Sequence, residues 1–164
     1  MTKLTPERLR ELLDYKSETG EFRWKITRST GEVGAVAGCL RKNSYRLIGI
    51  DQRVYLAHRL AWLYVTGQWP VADIDHIDGQ RDNNAFHNLR EATRTQNNAN
   101  SRLPVTNKSG LKGASWDRWT QKWVARIQVA GKGLNLGRFD TAEAAHAAYV
   151  AAAEKYFGTF ARSE

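Results

Sequence analysis

The residues of this chain that can do chemistry crowd into a polar, asparagine-rich stretch between positions 71 and 102. It holds Asp73, Asp75, His76 and Asp78-Gly79, then Asn83-Asn84, His87-Asn88, and finally Asn97. A histidine titrates near pH 6.5 and can take a proton from water at neutral pH. Carboxylate and amide oxygens suit a hard divalent cation and leave positions open for water and phosphate oxygen. Together these residue types suit hydrolysis of a phosphodiester. Singly they have plainer readings: an Asp-His pair is usually a turn or a surface ion pair, and asparagine clusters usually build loops. A calcium loop fails on spacing, because Ile77 falls at its fifth position, which needs an oxygen ligand, and Asn84 at its twelfth, which needs a bidentate carboxylate.

The joint spacing of Asp75, His76, Asn88 and Asn97, with His58-Arg59-Leu60-Ala61-Trp62 upstream and Asn88-Leu89-Arg90 between, resembles the HNH endonuclease family. Its phage and intron-encoded homing branch is the nearer part, over roughly residues 40–100. The resemblance implies a ββα-metal fold, with a first strand ending near Asp75-His76, a second near residues 88–92, and a helix after Thr93 that carries Asn97. It implies that His76 is the general base and that Asp75 and Asn97 are oxygen ligands of one divalent ion per site. Asn88 would tie the loop and hold His76. Members with histidine at the third position favour zinc, so asparagine at 97 points to Mg²⁺ or Mn²⁺. His58, His87 and His146 are expected to be structural or solvated. Arg59, Arg81, Arg90 and Arg94 are candidates for phosphate contact, Arg90 and Arg94 the more so for lying beside the motif.

The elements that must position these residues can be outlined from periodicity. Thr5-Pro6-Glu7 starts a helix that Thr19-Gly20 should end, with Leu9, Leu12 and Leu13 at helical spacing. Strands are expected over 21–24, 34–37, 45–50 and 53–57, the last two joined by the turn Asp51-Gln52. A helix follows over 58–65, closed by Gly67 and Pro70. Residues 103–110 read as a linker. Beyond it come strands over 113–116, 123–129 and 134–139, and an alanine-rich helix over 141–157. That helix should bury Ala144, Ala145, Ala148, Ala152 and Tyr156.

Residues 109–161 resemble the APETALA2-type DNA-binding domain. The signposts are Lys112-Gly113, Trp119, Lys122-Trp123-Val124-Ala125, Ile127, Leu136-Gly137-Arg138-Phe139 and the alanine-rich helix up to Gly158. The resemblance implies a three-stranded sheet laid in the major groove with the helix behind it. Alternation turns Trp123, Ala125 and Ile127 to the helix and leaves Val124, Arg126 and Gln128 toward DNA. Arg126 suits a guanine edge and Gln128 an adenine. Lys112, Arg118, Trp119, Lys132 and Asn135 lie where the sheet and its turns would touch DNA. Plant members carry arginines where this chain has Ser115, Trp116 and Asp117, so their base preference does not transfer.

The expected fold is therefore α+β. A small α+β region (1–45) precedes an HNH nuclease core (46–102), a linker (103–110), and a three-stranded antiparallel sheet packed on one helix (111–164). The basic residues of 1–45, Arg23, Lys25, Arg28, Arg41 and Lys42, read equally as a DNA-gripping arm or as a solvated face.

Bulk properties agree with a polyanionic partner. Lysine and arginine number 25 against 17 acids, giving +8 and a pI near 9.8. Cys39 is the only cysteine, so no intramolecular disulfide forms. No export signal or membrane span is visible, and a cytoplasmic location is expected. The expected activity is a sequence-directed, metal-dependent cut in double-stranded DNA, by a monomer or homodimer with no small-molecule cofactor. The alternative is a catalytically inert DNA-binding regulator.

Overall fold

A computed structural model describes residues 3–28, 31–42, 45–103, 107 and 109–162. Contacts divide the chain into two compact units, 1–91 and 92–164.

In the first unit, helix α1 (Pro6–Leu12) starts where proline is tolerated and Thr5 accepts the Arg8 amide. It ends seven residues earlier than the Thr19 expected from periodicity. Leu13 is extended, and burial then alternates: Leu13 and Tyr15 in, Asp14 and Lys16 out. The leucine spacing fits a helix, but burying Tyr15 beside Phe22 requires a strand. Strand β1 (Leu13–Lys16) pairs antiparallel with β2 (Glu21–Trp24), with Tyr15 opposite Phe22. Strands β3 (Cys39–Leu40), β4 (Arg46–Ile50) and β5 (Arg53–Leu56) form a second sheet in that order. The strand expected over 34–37 is absent; Val36 makes a single bridge to Arg23. Asp51 and Gln52 both have positive φ, as a two-residue hairpin turn requires.

Helix α2 (Ala57–Thr66) closes on Gly67 in the left-handed conformation. Strands β6 (Asp73–His76) and β7 (Leu89–Ala92) make a two-stranded sheet. Leu9, Leu13 and Phe22 share one core with Ile48, Ile50, Leu60 and Leu63. Through Leu9, Leu13, Phe22 and Ala37 the described part of residues 1–45 packs into this core, while Lys25, Arg28, Arg41 and Lys42 stay exposed.

In the second unit, α3 (Arg94–Ala99) opens with a capping box between Thr93 and Gln96. Strands β8 (Ala114–Asp117), β9 (Lys122–Val129) and β10 (Lys132–Phe139) form an antiparallel sheet with β9 central and a bulge after Asn135. Helix α4 (Ala142–Phe157) covers it. Its buried face is Ala142, Ala145, Tyr149, Ala153 and Phe157. Ala144 and Tyr156 are exposed, contrary to expectation, because the face turns to seat Tyr149 and Phe157. Gly113 has φ +78, and a Cβ there would lie 2.2 Å from the Tyr149 ring, so only glycine fits. Val124, expected to face DNA, is only 2 % exposed because Ser115 and Arg138 flank it on both neighbouring strands. Of the expected linker, residues 104–106 and 108 lie outside the described residues. Among the described residues no helix is long and apolar enough to cross a membrane.

Candidate active site

Strand β6 carries Asp75 and His76 at its end, both 4 % exposed. Burying a carboxylate demands a partner, and Asp75 has one in Arg90 on β7. Arg90 Nε and Nη2 lie 2.9 and 2.8 Å from Asp75 Oδ2. Arg90, a phosphate candidate from sequence, is thus turned onto the carboxylate.

The loop between β6 and β7 is cross-braced by amides. Asn88 Oδ1 accepts the Asp78 amide at 3.0 Å, and its Nδ2 donates to Asp78 Oδ1 and to the Asn83 carbonyl. Asn83 Nδ2 donates to Asp78 Oδ2 at 2.7 Å. Burial pushes the Asp78 carboxyl up, but the bonds from Asn83, the Gln80 amide and Asn88 outweigh it and hold the group below its ordinary value. Asn88 therefore ties the loop. The side chain seen on the His76 ring is a different asparagine: His76 Nε2 lies 3.3 Å from Oδ1 of Asn84, which is 1 % exposed. Sequence reasoning missed Asn84, since nothing local tells which of two adjacent asparagines turns inward.

His58, at the start of α2, meets His76 edge-on with ring centroids 5.0 Å apart, and Tyr45 packs near both. The Arg81 guanidinium lies over the Tyr45 ring, 4.9 Å from its centroid. Burial pulls the His76 ring below its ordinary pKa; the bond to Asn84 and the negative charges of Asp78 and Asp75 oppose that only in part. Burial, with the charges of His76 and Arg59, pulls His58 down to about 3. Between about pH 6.5 and 3 the unfolded chain therefore binds a proton at position 58 that the folded chain refuses. Stability should fall as pH drops through that window, by up to about 1.4 kcal/mol per pH unit for one proton. Urea midpoints from pH 7.5 to 4.5 should show this slope in wild type and a shallower one in His58→Gln; equal slopes would remove His58 as the cause.

The remaining candidates separate by exposure. Arg59 is spent on the carbonyls of Pro70 and Ala72, closing the loop after α2. Arg94 is exposed at the first position of α3, and Asn97 is half-buried on the same helix in the second unit. Lys112 is turned inward: its Nζ donates to the carbonyls of Ala99 and Ser101, at 2.7 Å each, and so caps the end of α3. Burial, then the charge of Arg162, pulls that amine down to about 8. Arg118, Trp119, Arg126, Gln128, Lys132 and Asn135 are exposed, with Trp119 96 % open on the β8–β9 turn. Asn135 stands opposite Arg126 on the outer face, and its Oδ1 accepts the Gly137 amide across the bulge.

Among the described residues no three His, Cys, Asp or Glu side chains gather to hold a metal. The donors on offer are one buried carboxylate, Asp75, and amide oxygen. Hard oxygen donors of this kind fit Mg²⁺ or Mn²⁺. The buried carboxylate also calls for a cation, a need the Arg90 guanidinium meets in this structure.

A family model described as HNH endonuclease matches residues 55–99, which span α2, β6, β7 and α3. Protein 3.8 of Escherichia phage T7 is 37 % identical over 106 residues, 64 % of this chain and 87 % of that protein. A solved structure titled "DNA binding and cleavage by the HNH homing endonuclease I-HmuI" superposes with a TM-score of 0.46 at 20 % identity, covering 96 % of this chain and 91 % of the other. The chain belongs to the same family as phage T7 Protein 3.8, and its residues 55–99 are an HNH endonuclease domain.

Proposed function

We propose that this protein is a sequence-directed, metal-dependent DNA endonuclease of the homing type. The observation that carries the reading is the buried Asp75-His76 pair at the end of β6, its loop braced by Asn88, inside the HNH match. His76 takes the proton of the attacking water, a role its lowered pKa suits because the ring is then neutral at physiological pH. Asp75 and Asn97 would hold one Mg²⁺ or Mn²⁺. When bound, that ion supplies positive charge to the phosphate and to the leaving 3′-oxygen. Asn88 keeps the β6–β7 loop closed. Arg94 steadies phosphate, and Arg90 balances Asp75.

Residues 46–102 act as the nuclease and 111–164 as the reader, an APETALA2-type sheet whose outer face presents Arg126, Gln128 and Asn135 to the major groove. Arg118, Trp119 and Lys132 approach from the turns. The sequence resemblance and the three-strands-plus-helix architecture support this reader. One such centre cuts one strand, so a monomer nicks and a homodimer cuts both.

The rival is an inert DNA-binding regulator, favoured by the Arg90 guanidinium already seated on Asp75. Purified protein incubated with supercoiled plasmid, including its own flanking sequence, decides between them. Nicked circles in Mg²⁺ or Mn²⁺, abolished by EDTA, are expected. Retarded but uncut DNA with every cation would establish the regulator.

A further inference from the structure

We propose that the amino-terminal hairpin β1–β2 is a positioning clamp for the base: acting through Asn84, it fixes His76 with its proton on Nε2 and its lone pair on Nδ1. The inference rests on the reading of His76 as base and deepens it, giving residues 13–24 a role in the reaction that their sequence did not suggest.

The clamp can be followed atom by atom. The Asn84 amide is oriented by its own Nδ2, which donates to the Asp82 carbonyl at 3.0 Å. That turns Oδ1 to the ring, 3.3 Å from His76 Nε2. An amide oxygen only accepts, so the nitrogen facing it must carry the hydrogen. A neutral ring then has its basic lone pair on Nδ1. Asp82 is anchored in turn by Arg46, whose Nε and Nη2 reach its two carboxylate oxygens at 3.0 and 3.1 Å.

The hairpin holds the other side of Asn84. Tyr15 Oη donates to the Asn84 carbonyl at 2.7 Å, and the Phe86 amide donates to the Ser17 carbonyl at 2.8 Å. Gly20, with φ +75 in the β1–β2 turn, lies flat against this segment. A Cβ there would stand 2.2 Å from the Asn84 carbonyl carbon and 2.3 Å from the Ala85 nitrogen. Such an approach between two backbones is open to glycine alone. The Tyr15 ring is itself fixed against Phe22, centroids 4.6 Å apart. Thus two hydrogen bonds and one close backbone contact seat residues 84–86 on the hairpin, and Asn84 delivers that rigidity to the ring. Partners one step behind a reacting group commonly matter 10- to 100-fold, since they set tautomer and orientation.

The test reads the tautomer directly, without cleavage. With ¹⁵N-histidine protein at pH 8, the His76 signals are identified by their loss in His76→Gln. Wild type should show a slowly exchanging proton on Nε2 and an imine-type Nδ1. Asn84→Ala should lose that proton to exchange with water. Asn84→Asp, which keeps an acceptor at the same place, should retain it. Tyr15→Phe keeps the ring packing and removes only the bond to the Asn84 carbonyl; it should speed exchange of the Nε2 proton while melting like a folded protein. In the nicking assay Asn84→Ala should lower kcat roughly 10–100-fold and leave DNA affinity within about twofold. A proton on Nδ1 in wild type, or His76 signals unmoved by both Asn84→Ala and Tyr15→Phe, would overturn the clamp. A correct signature in a protein that never nicks DNA upholds the clamp and removes His76 as a catalytic base.

Discussion

A His76→Ala protein should nick plasmid roughly 10²–10⁴-fold more slowly than wild type while binding the same DNA with unchanged affinity. The size follows from what the ring does: without a base at neutral pH, water must attack the phosphorus and lose its proton unaided. His76→Gln is the companion variant. It refills the space beside His58 and Tyr45 that alanine would leave open, so a shared loss of rate in both separates chemistry from packing. The pH dependence adds a second signature. Burial lowers the His76 pKa, so the ring stays neutral further into acid than an ordinary histidine. Single-turnover nicking should hold its rate below pH 6.5 before the acid limb begins, and that limb should vanish from the residual activity of both variants. Wild-type rates in either variant would end the case for His76.

The pair at the centre of this prediction was legible in the sequence because its signal is local. Asp75, His76 and Asn88 sit at fixed offsets in one polar stretch, and the loop they build closes on itself. The helix after Thr93 followed from the family resemblance, and the capping box of Thr93 with Gln96 that opens it lies within a single turn. What stayed hidden is tertiary. Arg90 reads as one more basic residue beside the motif; only the pairing of β6 with β7 shows that it faces Asp75. Asn84 is indistinguishable from Asn83 until the hairpin 60 residues upstream presses one of them onto the histidine. The α1 boundary failed on the same ground. Leu9, Leu12 and Leu13 satisfy a helix, and the decision for a strand is made by Phe22 on the other side of the turn. On the carboxyl-terminal sheet, alternation sorted Ala125 and Ile127 from Arg126 and Gln128 correctly. It placed Val124 in the open because it takes no account of side chains on the two flanking strands.

The Asp75–Arg90 pair leads to the other large expected effect, on stability rather than rate. In EDTA, Arg90→Gln should cost about 3–5 kcal/mol, read as a lowered urea midpoint at unchanged slope, because it removes the positive charge that balances a buried carboxylate. The Asp75 side chain is 4 % exposed and that of Arg90 17 %, so water cannot replace the lost partner. The double variant Asp75→Asn, Arg90→Gln removes both charges and keeps two groups able to hydrogen-bond. It should regain most of the stability and none of the nicking, since removing a buried pair together is far cheaper than halving it. A divalent cation supplies the discriminating arm. If Asp75 is a ligand, the guanidinium and the cation draw on the same negative charge, and Arg90→Gln leaves that charge to the cation alone. Added Mn²⁺ should then raise the midpoint of Arg90→Gln more than that of wild type, and leave the double variant unmoved. Equal response in all three proteins would place the cation elsewhere and leave Asp75–Arg90 as a structural ion pair only.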